Sequence, residues 1–212
     1  MLFRSGYNLP NFDDIRRDVG FKNVIRLPLP GDDRIPQVRA TVEEAYREFM
    51  PADKVERALD RNQAQRRTLV LLHEIIGHGS GTYDTTKYGP QEDPVSALSP
   101  FGGSAMEEQR ADQTALVFGD DSRLVEVGLY TNQSEARQTL EAMYDIYLAS
   151  VLMRLSRERS FSESHSRGHW LLINKLLQAG AIGWVAKDDG AAMTLQNQVL
   201  RVLDYDRFKA VS

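Results

Sequence analysis

The sequence predicts a predominantly helical chain with a small β element near its C-terminus. Three observations lead there. Thr41 with Glu44, and Ser104 with Glu107, form the serine/threonine–x–x–glutamate spacing that opens helices. Two long stretches, 134–155 and 160–179, have helical character, and the second stops at Gly180, a residue suited to a helix end. Short strand-like runs around a tight turn, Lys187-Asp188-Asp189-Gly190, appear close to the C-terminus.

In order along the chain, residues 6–16 read as a turn leading into a short helix, with Asn11 as N-cap and Asp13 and Asp14 in its first turn. Residues 21–25 are extended, and Pro28, Pro30 and Pro36 mark an irregular connection. A helix is expected over 42–49, broken by Pro51, then a second over 52–59 and a third over 62–78. Residues 79–103 form a long connection rich in glycine and proline, either the wall of a cleft or a surface insertion. The helix opened by Ser104 runs to Phe118 and stops at Gly119-Asp120. In the helix over 134–155, Met143, Tyr147 and Met153 are core positions. Strands are expected over 182–186 and 199–204.

The chemistry concentrates in His73-Glu74-Ile75-Ile76-Gly77-His78, which holds two of the four histidines around a glutamate. Neutral imidazole is a common zinc ligand, and a glutamate directly after the first histidine is the usual base of zinc peptidases. The histidines stand at i and i+5. At about 100° per residue a regular helix cannot turn both to one metal. A one-residue π-type bulge restores the shared face, with Gly77 the residue best able to tolerate it. The alternative is two unrelated histidines on a buried helix. The second stretch, Ser104-Ala105-Met106-Glu107-Glu108-Gln109-Arg110-Ala111-Asp112, offers acids that serve either as first-turn caps or as a zinc site. In the zinc reading one acid is the third ligand, and Glu107 and Asp112 orient the ligand imidazoles. His165 and His169, at i and i+4, lie on one helix face, but no carboxylate cluster remains to complete a second metal site.

Together the two motifs resemble the dipeptidyl peptidase III family of zinc exopeptidases. The family's histidine-glutamate-x-x-glycine-histidine motif is matched by His73 to His78, followed by the typical Gly79-Ser80-Gly81. Its glutamate-glutamate-x-arginine-alanine-acid motif is matched by Glu107 to Asp112. The resemblance extends over nearly the whole chain. It implies one zinc held by His73, His78 and Glu108, with Glu74 as the general base. It implies Asn8 and Asn11 as contacts to the amino end and backbone of a bound peptide, and Arg16 as a further basic position near the cleft. Counting back from Gly180, it places His165 on the family's oxyanion-stabilising histidine and His169 on a cleft position where many relatives carry arginine, with Arg167 two residues earlier. The expected activity is release of dipeptides from short peptides. Relatives are several times longer, so residues 1–212 are expected to be the zinc-binding catalytic region of a larger protein, without its N-terminal lobe and C-terminal end.

Composition sets further bounds. The net charge of −4 argues against non-specific nucleic-acid binding, and the 42% hydrophobic content suits a globular core. With no cysteine, thiolates cannot hold a metal and no disulfide framework exists. No apolar run approaches the roughly 18 residues of a membrane span. The start, Met1 to Ser5, lacks a signal-peptide pattern. The expected compartment is the cytoplasm, with periplasm or secretion left open. Two rival functions are a non-catalytic scaffold using zinc as a structural centre and a zinc aminopeptidase or endopeptidase. The intact Glu74 argues against the scaffold, because a structural site has no use for a base.

Overall fold

One helix organises the fold, and every other long element packs on it. In the computed structural model, which describes residues 6–9, 22–25, 36–79, 102–158, 162–188, 190–194 and 196–212, residues 142–149 are buried without a break. They belong to the helix Gln133–Arg157. Over that stretch the helix is covered on every side.

The elements in chain order are β1 (Gly6–Leu9), β2 (Lys22–Ile25), α1 (Pro36–Phe49), a 3₁₀ turn (Ala52–Lys54), α2 (Val55–Leu71) and a π-helical turn (Leu72–Gly77). Then follow α3 (Gly103–Phe118), α4 (Ser122–Glu126), α5 (Gln133–Arg157), α6 (Ser164–Gln178), β3 (Ile182–Ala186), β4 (Gln198–Val202) and α7 (Tyr205–Val211). The chain is mainly helical, as expected. Among the described residues there are two antiparallel pairs, β1 with β2 and β3 with β4, where the sequence led us to expect only the second.

One core lies between α5, α3, α6, the β3–β4 hairpin and α7. It gathers Leu116, Leu140, Met143, Tyr144, Leu172, Leu176, Ile182, Leu200 and Phe208. Tyr144 stacks on Phe208 with ring centroids 4.2 Å apart. A second core on the other side of α5 joins Tyr46, Met50, Val55, Ala58 and Leu59 to Ile146 and Ala149. Buried Asp145 of α5 binds Arg57 of α2 and accepts from the Tyr205 hydroxyl of α7, so one carboxylate ties three helices.

Several boundaries differ from expectation for identifiable reasons. Helix α1 starts at Pro36, not after Thr41, because proline at a first helical position needs no N–H partner and has its φ already set. The expected helices over 52–59 and 62–78 are one continuous element from Val55 into the π turn. Helix α3 starts at Gly103, preceded by Gly102 at φ 114°, so Ser104 is not its cap. The Ser104 hydroxyl instead meets that of Ser164, 2.7 Å away. Helix α6 is capped by Glu163, whose carboxylate accepts from the Ser166 N–H at 2.9 Å. Gly6–Leu9 is a strand rather than a turn. The short helix expected over 11–16 and the connection over 80–101 lie outside the described residues.

Candidate metal centre

The two histidines of the first motif meet because the helix changes type between them. The His78 N–H donates to the His73 carbonyl at 3.0 Å, an i to i+5 bond that defines a π turn. One π turn brings residues five apart onto one face, and the two imidazole Nε2 atoms lie 3.2 Å apart. The buried side of this segment, with Thr68, Val70, Leu72 and His73, seats it in the protein. Gly77 permits its close approach to α3. A Cβ there would lie 2.6 Å from the Cα of Ala111 and 2.8 Å from its Cβ. Gly77 therefore matters through packing, where the sequence had suggested backbone latitude.

That approach sets the acids of α3 against both rings. Glu108 Oε2 is 3.4 Å from His73 Nε2 and 3.5 Å from His78 Nε2. The ligating atoms of His73, His78 and Glu108 all lie within 4.8 Å of one another. Behind them, His73 Nδ1 is 2.8 Å from Asp112 Oδ1, and His78 Nδ1 is 3.0 Å from Glu107 Oε1. An ionised carboxylate only accepts, so each Nδ1 donates, and it is the Nε2 lone pair that each ring would offer a metal once its Nε2 proton is displaced. Arg110 grips Glu107 with two hydrogen bonds of 2.9 and 2.7 Å and fixes that carboxylate in turn.

Helix α6 supplies the other two histidines. It comes close to α3 at Gly168, where a Cβ would sit 3.0 Å from the Ala105 carbonyl oxygen. His165 Nε2 thereby reaches 3.1 Å from Glu108 Oε2, while its Nδ1 is 2.8 Å from Glu163 Oε1. His169 is only 9% exposed and its Nε2 bonds Asp112 Oδ2 at 3.0 Å. The residue expected on the cleft wall is thus buried behind His73.

Without a cation, the cluster is held by charge. Burial disfavours protonated His73, but hydrogen bonds to Asp112 and Glu108 and their charges outweigh it and push its pKa up to about 10. His78 behaves alike: burial opposes the charge, the bonds to Glu107 and Glu108 win, and the pKa rises to about 9. Burial would raise Glu107, yet His78 and Arg110 pull it down to about 2. Glu108 and Asp112 are both held well below the carboxylate range by the histidines around them, again against burial.

These residues fit a divalent transition metal. Three imidazole Nε2 atoms converge on the buried Glu108 Oε2, those of His165, His73 and His78 at 3.1, 3.4 and 3.5 Å. Two imidazole nitrogens and a carboxylate oxygen are a common catalytic zinc set. Glu74 lies in the same π turn, half-buried. Asn8 lies on β1, opposite Asn23 of β2, and β2 packs beside the π turn. Asn11 and Arg16 are outside the described residues. Sequence reasoning missed Tyr147 as a member of this site, taking it for core alone. Its hydroxyl donates to Asp112 Oδ2 at 3.2 Å, a contact that no local motif signals.

A model of peptidase family M49 matches residues 3–83. Dipeptidyl peptidase 3 of Dictyostelium discoideum is 23% identical over 231 aligned positions, covering 93% of this chain and 32% of the relative. The solved structure of DPP III from Caldithrix abyssi superposes with a TM-score of 0.63 at 20% identity, over 98% of this chain and 34% of that one. The shared fold therefore takes in nearly all of this chain, which spans about a third of the relatives' length.

Proposed function

We propose that this chain, a relative of the dipeptidyl peptidase III family, holds one zinc ion and supplies the general base of a peptidase that releases dipeptides from the amino end of short peptides. The observation that carries the reading is the π turn, which directs His73 Nε2 and His78 Nε2 at the same oxygen of Glu108. In this reading His73, His78 and Glu108 are the ligands, and Asp112 and Glu107 orient the two imidazoles. When bound, the metal supplies Lewis acidity and makes water a better nucleophile at neutral pH. Glu74, adjacent to a ligand, takes a proton from the attacking water and returns it to the leaving amine. His165, held by Glu163, donates a hydrogen bond to the oxyanion that develops on the scissile carbonyl. Asn8, Asn11 and Arg16 contact the peptide, and the opposite wall of the cleft is supplied by polypeptide outside this chain.

A second reading has one specific observation in its favour. His165 Nε2 lies 3.1 Å from Glu108 Oε2 and is therefore a candidate fourth ligand. Four protein ligands would close the site and make it structural. X-ray absorption of the zinc-loaded protein separates the two. Two imidazoles and a bound water support the peptidase; three imidazoles and no water support the scaffold. The functional test is hydrolysis of a dipeptidyl-arylamide by the complete enzyme before and after chelation. Activity that vanishes and returns with stoichiometric zinc is expected, and activity indifferent to chelation would overturn the proposal.

A further inference from the structure

Asp112 is buried and takes three donors from three different elements. His73 of the π turn donates to Oδ1 at 2.8 Å. His169 of α6 and the Tyr147 hydroxyl of α5 both donate to Oδ2, at 3.0 and 3.2 Å. The two rings meet edge to face, 5.3 Å between centroids. Tyr147 is 6% and His169 9% exposed, so neither ring offers a peptide much surface. The other ring nitrogen of His169, Nδ1, is buried without a hydrogen-bond partner among the described residues. Leaving a buried polar atom unpaired is costly. The orientation of His169 is thus set by what it gives Asp112 rather than by satisfying its own ring.

From this convergence we propose that Tyr147 and His169 are positioning residues for the metal centre, acting through Asp112 on His73. The inference rests on the metal-binding reading above. A lone aspartate is free to rotate about its side-chain bonds. Two donors on Oδ2 pin the carboxylate so that Oδ1 stays aimed at His73 Nδ1. That bond fixes the ring's tautomer and tilt and hence the direction of its Nε2 lone pair. Partners at this remove typically change metal affinity by 10–100-fold when the direct contact is lost. Loss of one of two pinning donors should cost less, about tenfold, the lower end of that range.

The test compares Tyr147→Phe, His169→Leu, His169→Gln and Asp112→Ala, singly and combined, in the full chain. Zinc affinity is measured by chelator competition, and the visible spectrum is recorded with cobalt(II) in place of zinc. Tyr147→Phe and His169→Leu should each weaken zinc binding and shift the cobalt bands. His169→Gln, which keeps a donor at the Nε2 position, should restore affinity. Added to Asp112→Ala, neither change should weaken binding further. Unaltered affinity and spectrum in both variants would overturn the proposal, as would full-sized losses that persist in the Asp112→Ala background. If His169→Leu does not fold, Tyr147→Phe, which removes one oxygen, decides alone. A parent chain that binds no zinc, or binds it equally well as His73→Ala, would instead remove the metal reading on which the inference rests.

Discussion

His73 and His78 are separated by four residues, yet their Nε2 atoms stand 3.2 Å apart. On a regular α-helix, positions five apart diverge by roughly 140° around the axis. The protein removes that divergence by hydrogen-bonding the His78 N–H to the His73 carbonyl instead of one residue nearer. The helix type is therefore part of the site. Anything that returns the turn to α geometry separates the two rings.

Gly77→Ala tests the packing that holds this turn. The new methyl would lie 2.6 Å from Ala111 Cα, so the turn must move away from α3 and carry His78 with it. Overpacking of this kind costs about 1–3 kcal/mol. Urea denaturation should show that loss, and zinc titration should show weaker binding. Ala111→Gly in the same chain removes the 2.8 Å contact but not the 2.6 Å one, and should rescue only in part. A Gly77→Ala protein with parental stability and affinity would mean that the approach to α3 does not place the metal.

The protonation state of the cation-free site gives opposite pH trends for the bare and loaded protein. His73 and His78 titrate at about 10 and 9 in the folded state, against roughly 6.5 unfolded. Raised values mean that their stabilising contribution is complete below pH of about 6.5 and is lost as pH climbs through 9 to 10. Glu107, lowered to about 2, contributes above its unfolded value of about 4.3 and loses that contribution only as pH falls towards 2. A metal must displace the imidazole protons, so its affinity should rise with pH over the window in which the bare protein weakens. Thermal melts with and without zinc between pH 6 and 10 check this; parallel trends would contradict it.

Much of this centre was legible because its logic is local. An i to i+5 histidine pair around a glutamate demands a π turn, and the turn is present. Acids at 107, 108 and 112 lie within six residues of α3, with 108 and 112 one turn apart, so the chemistry of that helix could be read without tertiary knowledge. What escaped depends on packing between elements distant in sequence. Tyr147 carries no motif, and its bond to Asp112 exists only because α5 passes behind α3. His169 looked like a cleft residue, but the close approach of α6 at Gly168 buries it against Asp112. Ser104 with Glu107 has the spacing of a capping box, yet Glu107 binds His78 and Arg110. A stronger tertiary partner overrode the local signal.

Glu74 and His165 should separate by what their loss affects. In a chain extended to the relatives' length, Glu74→Gln keeps the shape but not the base. It should retain zinc and lose about 10²–10⁴-fold in turnover. His165→Ala should lower kcat far more than it raises KM, because a bond to a developing oxyanion strengthens only in the transition state. His169→Ala should act mainly through metal retention, since its ring faces Asp112. Steady-state kinetics with metal analysis on each variant checks the order. Near-normal turnover of Glu74→Gln would take that residue out of the mechanism.

The last expectation concerns rate. This chain spans about a third of its relatives' length, and the residues between His73 and His78 are open, with Ile75 47% and Ile76 42% exposed. Hydrolysis needs a peptide held in near-attack geometry, and such positioning is worth about 7–11 kcal/mol. Exposed apolar side chains beside a metal give a peptide something to lie against but no opposing surface to clamp it. Residues 1–212 alone should therefore bind zinc with His73, His78 and Glu108 yet hydrolyse a dipeptidyl-arylamide orders of magnitude more slowly than a chain extended to the relatives' length. Zinc stoichiometry and kcat/KM measured side by side on the two proteins make the comparison. Equal kcat/KM would show that the catalytic unit is already whole in these residues, and that no second wall is needed to hold the substrate.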